Sequence, residues 1–275
     1  MFKAFRRGRS SFMKPGPRSK RDVAYAGDAP RRALVTGPTS GIGLAYAEEL
    51  AGRGIDLVLV SRDQERLTSV AVRLRHSHGI QTEVLAADLA TSEGLGRAAR
   101  RIQDQSRPVD LVINNAGALP SGVFGATDIA DEDRLLDLLV RAPMHLTDAA
   151  LKAMCTRGHG RVINVCSVAA WTPRGSYGAH KAWLLSLSRW ANMSYAGSGL
   201  RILAVCPGFV RTELHHSVDR SGVPRWMWLE ASTVVQQSLR DLEKGKDVST
   251  PSLRYKAFGL AVRHLPWPLV RRIAA

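Results

Sequence analysis

Short runs of apolar residues alternate with longer amphipathic stretches along the chain from Arg32 onward. Apolar runs of about four to eight residues are typical of buried strands, and apolar residues spaced three or four apart are typical of helices that bury one face. The predicted strands cover residues 33–36, 55–61, 82–87, 109–114, 161–166 and 201–206. This alternation predicts an α/β fold, in which a single doubly wound parallel sheet is flanked by helices on both faces.

Glycine and capping residues delimit the predicted helices between these strands. The first helix is expected to open at Gly43 and to be stopped by Gly52 and Gly54, because glycine is unfavourable within a helix and common beyond its end. A second, charged helix is expected from Asp63 to near Gly79, and a long one around residues 176–195. The pattern contains no repeat at solenoid periods and no boundary of a second domain.

The composition fits one globular core and disfavours several other classes. The chain has 275 residues, of which 45% are hydrophobic and 23% are charged. Its uncharged stretches are shorter than the roughly 20 apolar residues of a spanning helix, and no apolar block follows the basic start, as it would in a secretory signal. Three cysteines without a CxxC pair disfavour a disulfide framework and a cysteine zinc site. We therefore expect a cytoplasmic protein without a metal.

The formal net charge of +15 is concentrated at the two ends of the chain. Residues 1–32 carry +8 and residues 251–275 carry +5, so that only +2 remains for residues 33–250. Such polycationic ends bind nucleic acid or anionic lipid weakly and without sequence preference. We expect no specific nucleic-acid partner, and a nucleic-acid binder would instead lose its main activity on removal of residues 1–30.

The sequence divides the chain into three predicted segments. Residues 1–30 mix Arg, Lys, Ser, Gly and Pro without apolar periodicity and are predicted to be a disordered basic extension. A mitochondrial-type presequence, or a start codon placed too far upstream, are the alternatives. Residues 31–250 form the predicted α/β domain. Residues 251–275 combine apolar and basic residues, and they either pack on the pocket or a partner subunit or lie on an anionic membrane surface.

A glycine-rich turn, TGPTSGIG at residues 36–43, separates the first strand from its helix. A pyrophosphate must approach backbone N–H groups at a helix N-terminus closely, and glycine removes the side chains that would obstruct it. The turn lacks the Lys-Ser or Lys-Thr pair of a nucleotide-triphosphate loop, and its spacing differs from GxGxxG. Tight packing of strand against helix remains the alternative explanation.

Polar residues follow the later predicted strands. Asp88 comes just after the third strand, where a carboxylate can accept from an adenine amine or cap a helix. Asn114-Asn115-Ala116-Gly117 ends the fourth strand, beside the crevice where open sheets bind ligands. Ser167 follows the fifth strand, and the long helix contains Tyr177 and Lys181, which share a helix face because they are four residues apart.

A tyrosine beside a lysine provides a proton donor and acceptor. A phenol with a pKa of about 10 exchanges protons poorly at neutral pH, but a nearby ammonium favours the phenolate. Tyr177 would then serve as an acid and base beside Lys181, while Ser167 donates a hydrogen bond to a substrate oxygen during hydride transfer.

These motifs occur in the order found in short-chain dehydrogenases/reductases, which the chain resembles over about residues 31–250. The resemblance implies a Rossmann fold and NADP-dependent reductases of 3-ketoacyl chains or steroids. It assigns acid/base catalysis to Tyr177, ribose binding and a lowered tyrosine pKa to Lys181, substrate orientation to Ser167, and a hydrogen bond to the carboxamide to Thr212. The cofactor contacts that it implies are Gly37, Thr39, Ser40, Gly41, Ile42, Gly43, Arg62, Asp88, Leu89, Asn115, Ala116, Gly117, Tyr177, Lys181, Pro207, Gly208, Val210 and Thr212.

The chain departs from the pattern of this family at two places. Related enzymes carry an asparagine that relays protons through water to the lysine, and by spacing its place falls at Leu139. An apolar side chain does not anchor that water, so the relay must be rerouted or slower, or the enzyme impaired. The interval between Ser167 and Tyr177 is also short, and we expect the loop 168–176 to be trimmed at the rim of the pocket.

The charge of the residues at the end of the second strand indicates which cofactor is preferred. An acid there would bind an unphosphorylated ribose, whereas this strand ends in Arg62, which pairs well with a 2′-phosphate. NADP(H) is therefore favoured, although the adjacent Asp63 keeps NAD(H) as an alternative.

Aromatic residues predict the substrate class. Trp226 and Trp228 lie in the segment where the resembled family builds its substrate lid, and with Trp171 and Ser167 they are the predicted substrate contacts. Such a cluster suits an apolar ketone or alcohol, or else a dimer contact or core. His215 and His216 are interpreted as surface or rim residues rather than metal ligands. Homo-oligomers, dimers or tetramers, are expected from the resemblance; the alternative function is a cofactor-binding protein with little catalysis.

Overall fold

The computed structural model describes residues 30–212, 223–264 and 266. The predicted disordered extension, His215 and His216, and most of the chain after residue 264 lie outside the described residues.

The described residues form one parallel sheet of seven strands in the order β3-β2-β1-β4-β5-β6-β7. The strands are β1 (Arg32–Thr36), β2 (Asp56–Ser61), β3 (Thr82–Ala86), β4 (Leu111–Asn114), β5 (Gly160–Val165), β6 (Leu200–Val205) and β7 (Val248–Ser249). The predicted α/β fold is confirmed, and the six predicted strands agree with the structure within two residues. The two-residue β7 was not predicted, because a run of that length carries no hydrophobic pattern.

The helices are α1 (Gly41–Gly52), α2 (Gln64–His78), α3 (Ser92–Gln103), α4 (Ile129–Leu136), α5 (Ala142–Arg157), α6 (Gly175–Ser194), α7 (Ala231–Glu243) and α8 (Leu253–His264). The bounds of α2 follow from its caps: the Asp63 carboxylate accepts from Arg66 N at 3.0 Å, and Gly79 takes the left-handed conformation at the other end. Asp88 does not cap α3; the hydroxyl of Thr91 does, accepting from Gly94 N.

Strand side chains alternate between two cores. Val35 of β1 faces a core built with α1, α2 and α7, whereas its neighbour Leu34 faces one built with α3 and α5. Strand β1 lies between β2 and β4, with Val35 paired to both Leu59 and Ile113. The chain thus reverses its winding direction at β1, and a crevice forms where neighbouring loops diverge beyond the carboxyl ends of the strands.

Helix α8 places the described part of the C-terminal segment against the body of the protein. The Tyr255 hydroxyl donates to Met227 O at 2.8 Å and accepts from Phe209 N at 3.1 Å. Its ring covers Gly208, where a Cβ would overlap the ring, and Gly259 packs closely on Trp171. No helix in the described ranges is long and apolar enough to cross a membrane.

Candidate active site

A cavity of about 500 Å³ lies beyond the carboxyl ends of the strands. Its walls come from the segments that follow β1 to β6 and from α4 and α6. Of the predicted cofactor contacts, all but Gly43 line this cavity, together with the proposed catalytic trio Ser167, Tyr177 and Lys181. Residues separated by up to 175 positions along the chain therefore meet at one site.

The glycine turn forms an open cradle at the start of α1. Gly37 and Gly41 have φ angles of 65° and 54°, which glycine adopts without strain, and a Cβ at Gly41 would stand 2.8 Å from Thr212 Cγ2. Gly43 lies beneath the cradle, where a Cβ would overlap the carbonyl oxygen of Gly37. The Ser40 side chain makes no capping hydrogen bond, so the first N–H groups of α1, where Gly41 and Ile42 line the cavity, are available as donors for an anion. A cofactor pyrophosphate fits this turn.

The second asparagine of the NNAG motif holds the cradle in place. Asn115 Nδ2 donates to Thr36 O at 2.9 Å and to Gly37 O at 3.2 Å. The Thr36 hydroxyl in turn accepts from the N–H groups of Asn115 and Ala116, each at 2.9 Å. These bonds join the ends of β1 and β4, so the side chain of Asn115 has a structural role, which its place in the motif did not reveal.

Asp88 and Arg134 form an ion pair at one end of the cavity. Arg134 Nη2 donates to Asp88 Oδ2 at 2.7 Å, and Ala90 N donates to Asp88 Oδ1 at 3.0 Å. Burial acts to raise the pKa of Asp88, but these hydrogen bonds and the charges of Arg134 and Arg62 outweigh it and hold the pKa below its ordinary value. The carboxylate stays ionised at neutral pH and can accept from an amine.

The proposed catalytic trio lies where β5 ends and α6 begins. Lys181 Nζ stands 5.8 Å from the centre of the Tyr177 ring and donates to Val165 O at 2.8 Å. Ser167 Oγ accepts from Ala169 N at 3.1 Å and is also hydrogen-bonded to the Tyr177 hydroxyl. A 3-10 turn, Val168–Trp171, fills most of the short interval before α6.

The net effect of the folded protein is to raise the pKa of Tyr177 and so to disfavour the phenolate. Burial raises the pKa of Tyr177 to about 12, and a hydrogen bond with Ser167 opposes this shift only in part. Burial also lowers the pKa of Lys181. The sequence-based expectation counted the attraction of the ammonium and left out the burial of the phenol, because burial is not visible in the spacing of two residues.

The three tryptophans predicted to contact substrate lie outside the described lining of the cavity. Trp171 packs on Gly259 of α8, and Trp228 packs on Phe209 with ring centres 5.5 Å apart. Trp226 is 62% exposed and stacks under Arg254. Their role toward substrate stays a prediction, since residues 213–222 of the expected lid are outside the described residues.

Helix α4 contributes cavity residues that the sequence did not reveal. Asp131, Glu132, Arg134 and Leu135 line the cavity, as does the preceding loop with Leu119. No sequence signal pointed to them, because they follow the NNAG motif in a stretch without a recognisable motif. The described residues contain no cluster of three or more His, Cys, Asp or Glu side chains that could hold a metal.

Comparison with known proteins identifies the family. A sequence model of the short chain dehydrogenases matches residues 31–221, more than half of the chain. The chain belongs to the short-chain dehydrogenase family. This is a family of oxidoreductases, and the observed sheet and flanking helices are those of its solved members.

Three similar proteins show the range of this short-chain dehydrogenase's relatives. A short-chain dehydrogenase from Sphingobium yanoikuyae, solved in complex with NADPH, is 34% identical with a TM-score of 0.77, over 84% of this chain and 93% of that one. A very-long-chain 3-oxoacyl-CoA reductase of Anas platyrhynchos is 31% identical over 66% of this chain and 60% of its own length. The human inactive hydroxysteroid dehydrogenase-like protein 1 is 26% identical over 76% of this chain and 77% of its own length.

Proposed function

We propose that this short-chain dehydrogenase is an NADP(H)-dependent oxidoreductase that interconverts a carbonyl and a secondary alcohol on a hydrophobic substrate of the ketoacyl, steroid or lipid type. The observation that carries the proposal is that Ser167, Tyr177 and Lys181 lie in the same cavity as the open glycine turn. The cofactor supplies or takes up the hydride. Enzymes of this family bind small carbonyl or alcohol substrates and commonly form oligomers.

Ser167, Tyr177 and Lys181 have different roles in the reaction at the substrate oxygen. In the direction of reduction, the Tyr177 hydroxyl gives its proton to the oxygen, and in oxidation the phenolate takes that proton back. Ser167 donates a hydrogen bond to the same oxygen and stabilises the charge that develops there. Lys181 holds a positive charge next to the phenol, which favours the anion that Tyr177 becomes after proton transfer.

Arg62 supports the preference for NADP(H). It lines the cavity and is exposed, and its charge helps to lower the pKa of Asp88. The competing acid, Asp63, is engaged as the cap of α2 and is not among the described residues that line the cavity. A 2′-phosphate beside Arg62 would therefore meet a cation, while the adjacent carboxylate of Asp63 is engaged by its hydrogen bond from Arg66 N. The similar protein from Sphingobium yanoikuyae was solved with NADPH.

The apolar substrate class is supported by apolar residues in the lining of the cavity. They include Ala118, Leu119, Pro120 and Val210. The similar proteins named for a 3-oxoacyl-CoA substrate and for hydroxysteroids point to the same class.

A second candidate is a cofactor-binding protein with little catalysis. Leu139 is 1% exposed and apolar where related enzymes carry the relay asparagine, and burial raises the pKa of Tyr177 to about 12. The similarity to a human protein named as inactive favours the same alternative.

The deciding experiment measures NADPH and NADH oxidation with a panel of ketosteroids, 3-ketoacyl thioesters and other hydrophobic carbonyls. Tyr177→Phe is expected to lower kcat by a factor of about 100 or more, while the Kd for NADPH stays nearly unchanged. Tyr195→Phe is the matched control, because this tyrosine at the end of α6 does not line the cavity. Preserved turnover in Tyr177→Phe would refute the assignment, and NADPH binding without turnover of any substrate would favour the second candidate.

Two further variants test the preference for NADPH over NADH. Arg62→Ala is expected to raise the Kd for NADPH about tenfold or more and to leave that for NADH nearly unchanged, since the lost interaction is a charged hydrogen bond to the 2′-phosphate. Arg73→Ala removes the same charge from α2, where Arg73 pairs with Glu48 away from the cavity, and serves as control. Equal losses for both cofactors would refute the role of Arg62.

A further inference from the structure

Two cysteines stand opposite each other on neighbouring strands beside the catalytic trio. The register of β5 and β6 pairs Val165 with Val205, the last residues of the two strands. Cys166 and Cys206 follow them directly and so occupy the next position of each strand.

Backbone hydrogen bonds continue the ladder past these strand ends. Cys166 N donates to Val205 O at 2.7 Å, and two residues further on Val168 N donates to Pro207 O at 3.0 Å. These two bonds have the even spacing of a parallel pair, and the bond between them is missing because Pro207 has no N–H. The ladder thus holds Cys166 opposite Cys206.

The two cysteine side chains lie on the same face of the sheet, under α6. One apolar cluster contains both of them together with Leu184 and Leu185 of α6. Neighbouring strands are about 4.8 Å apart, which is within the range of Cα separations that a disulfide spans. Bonded cysteines have Cβ atoms about 3.8 Å apart, so closure of a disulfide would draw the two residues together by about 1 Å.

The catalytic cavity gives access to one of the two sulfur atoms. Cys166 is 3% exposed and lines the cavity, whereas Cys206 is fully buried and is not among the described lining residues. Negative charge on either cysteine acts to raise the pKa of Lys181, so the ammonium is near both of them. A thiolate is the form that attacks an oxidant, and a nearby cation stabilises that form. A small oxidant that enters the cavity meets Cys166 first, with Cys206 behind it.

We propose that Cys166 and Cys206 are a redox modification site, which hydrogen peroxide converts to a reversible disulfide. The Cys166 thiolate attacks the peroxide: an S–O bond forms, the O–O bond breaks, and the hydroxide that leaves takes up a proton and becomes water. The Cys206 thiolate then attacks the sulfenic sulfur: an S–S bond forms, the S–O bond breaks, and a second water leaves in the same way. The two thiols lose two electrons, and the peroxide gains them. The approach of about 1 Å strains the bond, so that a dithiol reductant reverses it readily.

The disulfide lowers catalysis, because both neighbours of Cys166 support the trio. Val165 O accepts from Lys181 Nζ at 2.8 Å, and Ser167 is hydrogen-bonded to Tyr177. Closure of the disulfide displaces these two groups, and a displacement of about 1 Å can cost roughly a hundredfold in rate. This consequence rests on the proposed function, whereas formation of the bond does not.

The first test detects the bond itself and does not depend on activity. The reduced full-length protein is treated with hydrogen peroxide, its remaining thiols are alkylated, and a digest made without reductant is analysed by mass spectrometry. We expect a peptide pair that links Cys166 to Cys206 and disappears after treatment with a dithiol. Cys155, a partly exposed cysteine on α5, is the internal control and should be alkylated. The inference is overturned if no linked pair forms, or if the linked pair contains Cys155.

The second test uses two matched variants, Cys206→Ser and Cys155→Ser. Without a partner, the sulfenic acid of Cys166 should persist in Cys206→Ser, where a dimedone-type reagent traps it. In Cys155→Ser, as in the unsubstituted protein, the disulfide should form and leave little sulfenic acid to trap. Equal trapping in the two variants would contradict the pairing. If Cys206→Ser does not fold, the peptide map of the unsubstituted protein decides.

The third test measures the consequence for activity. Peroxide is expected to lower the kcat of the unsubstituted protein and of Cys155→Ser by about tenfold to a hundredfold, and a dithiol should restore it. If the linked peptides form but kcat does not change, the regulatory role is refuted. If the linked peptides form and the reduced protein turns over no substrate, the proposed function fails while the modification site stands.

Discussion

Asn115 Nδ2 donates a hydrogen bond to the carbonyl oxygen of Thr36 at 2.9 Å and so ties the end of β4 to the start of the glycine turn. The bond joins two segments that are 79 residues apart in the chain. The shape of the cradle therefore depends on a side chain from another strand as well as on its own glycines.

Asn115→Ala is expected to lower the free energy of unfolding by about 1–3 kcal/mol, because the carbonyl oxygens of Thr36 and Gly37 lose a part-buried donor. It should also weaken NADPH binding, since the turn is no longer held. Urea unfolding and fluorescence titration with NADPH measure the two effects.

Asn192→Ala is the control for this change. Asn192 accepts from Ile202 N at 3.1 Å and lies away from the cavity, so its loss should destabilise the protein without weakening cofactor binding. Equal effects of both variants on NADPH affinity would contradict the role of Asn115.

The two ends of α1 should respond oppositely to the same substitution. Gly43→Ala places a Cβ against Gly37 O, and neither backbone segment can move easily. We therefore expect the free energy of unfolding to fall by about 1–3 kcal/mol and the affinity for NADPH to fall sharply. Gly52→Ala meets nothing closer than His78 Cε1 at 3.9 Å and should stabilise α1 by up to about 1 kcal/mol. Thermal unfolding and NADPH titration compare the two, and a tolerated Gly43→Ala would show that the turn is looser than described.

In the protein without cofactor, Tyr177 should ionise at a higher pH than an exposed tyrosine. Its pKa is raised to about 12, so the stabilisation that it contributes is fully present below about pH 10 and is lost as the pH rises toward 12. Difference absorbance of tyrosinate between the unsubstituted protein and Tyr177→Phe isolates this group from Tyr46, whose pKa burial also raises. Adding NADP⁺ should lower the Tyr177 pKa, because the positive nicotinamide favours the phenolate. A pKa near 10 without cofactor would contradict the effect of burial.

The alternation of apolar runs was enough to predict the α/β fold and the ends of β1 to β6, because strand and helix periodicities are local properties of a chain. The identities of Asp63 and Gly79 were enough to place them at the ends of α2, since capping depends on residues close in sequence. Most of the residues that the motifs singled out line one cavity, because the carboxyl ends of parallel strands lie at one edge of the sheet, and their roles stay predictions.

Burial and long-range partners were decided only by the tertiary structure. The sequence placed Tyr177 and Lys181 on one helix face, but their pKa values depend on how much water the folded chain removes from each. It showed NNAG as a motif, but not that Asn115 clamps the glycine turn or that Asn114 Oδ1 is left buried without a donor from the described residues. It drew attention to the tryptophans as substrate contacts, yet helix α8 covers Trp171. Each of these facts arises from segments that are distant in sequence, and a local pattern carries no record of which distant segments will meet.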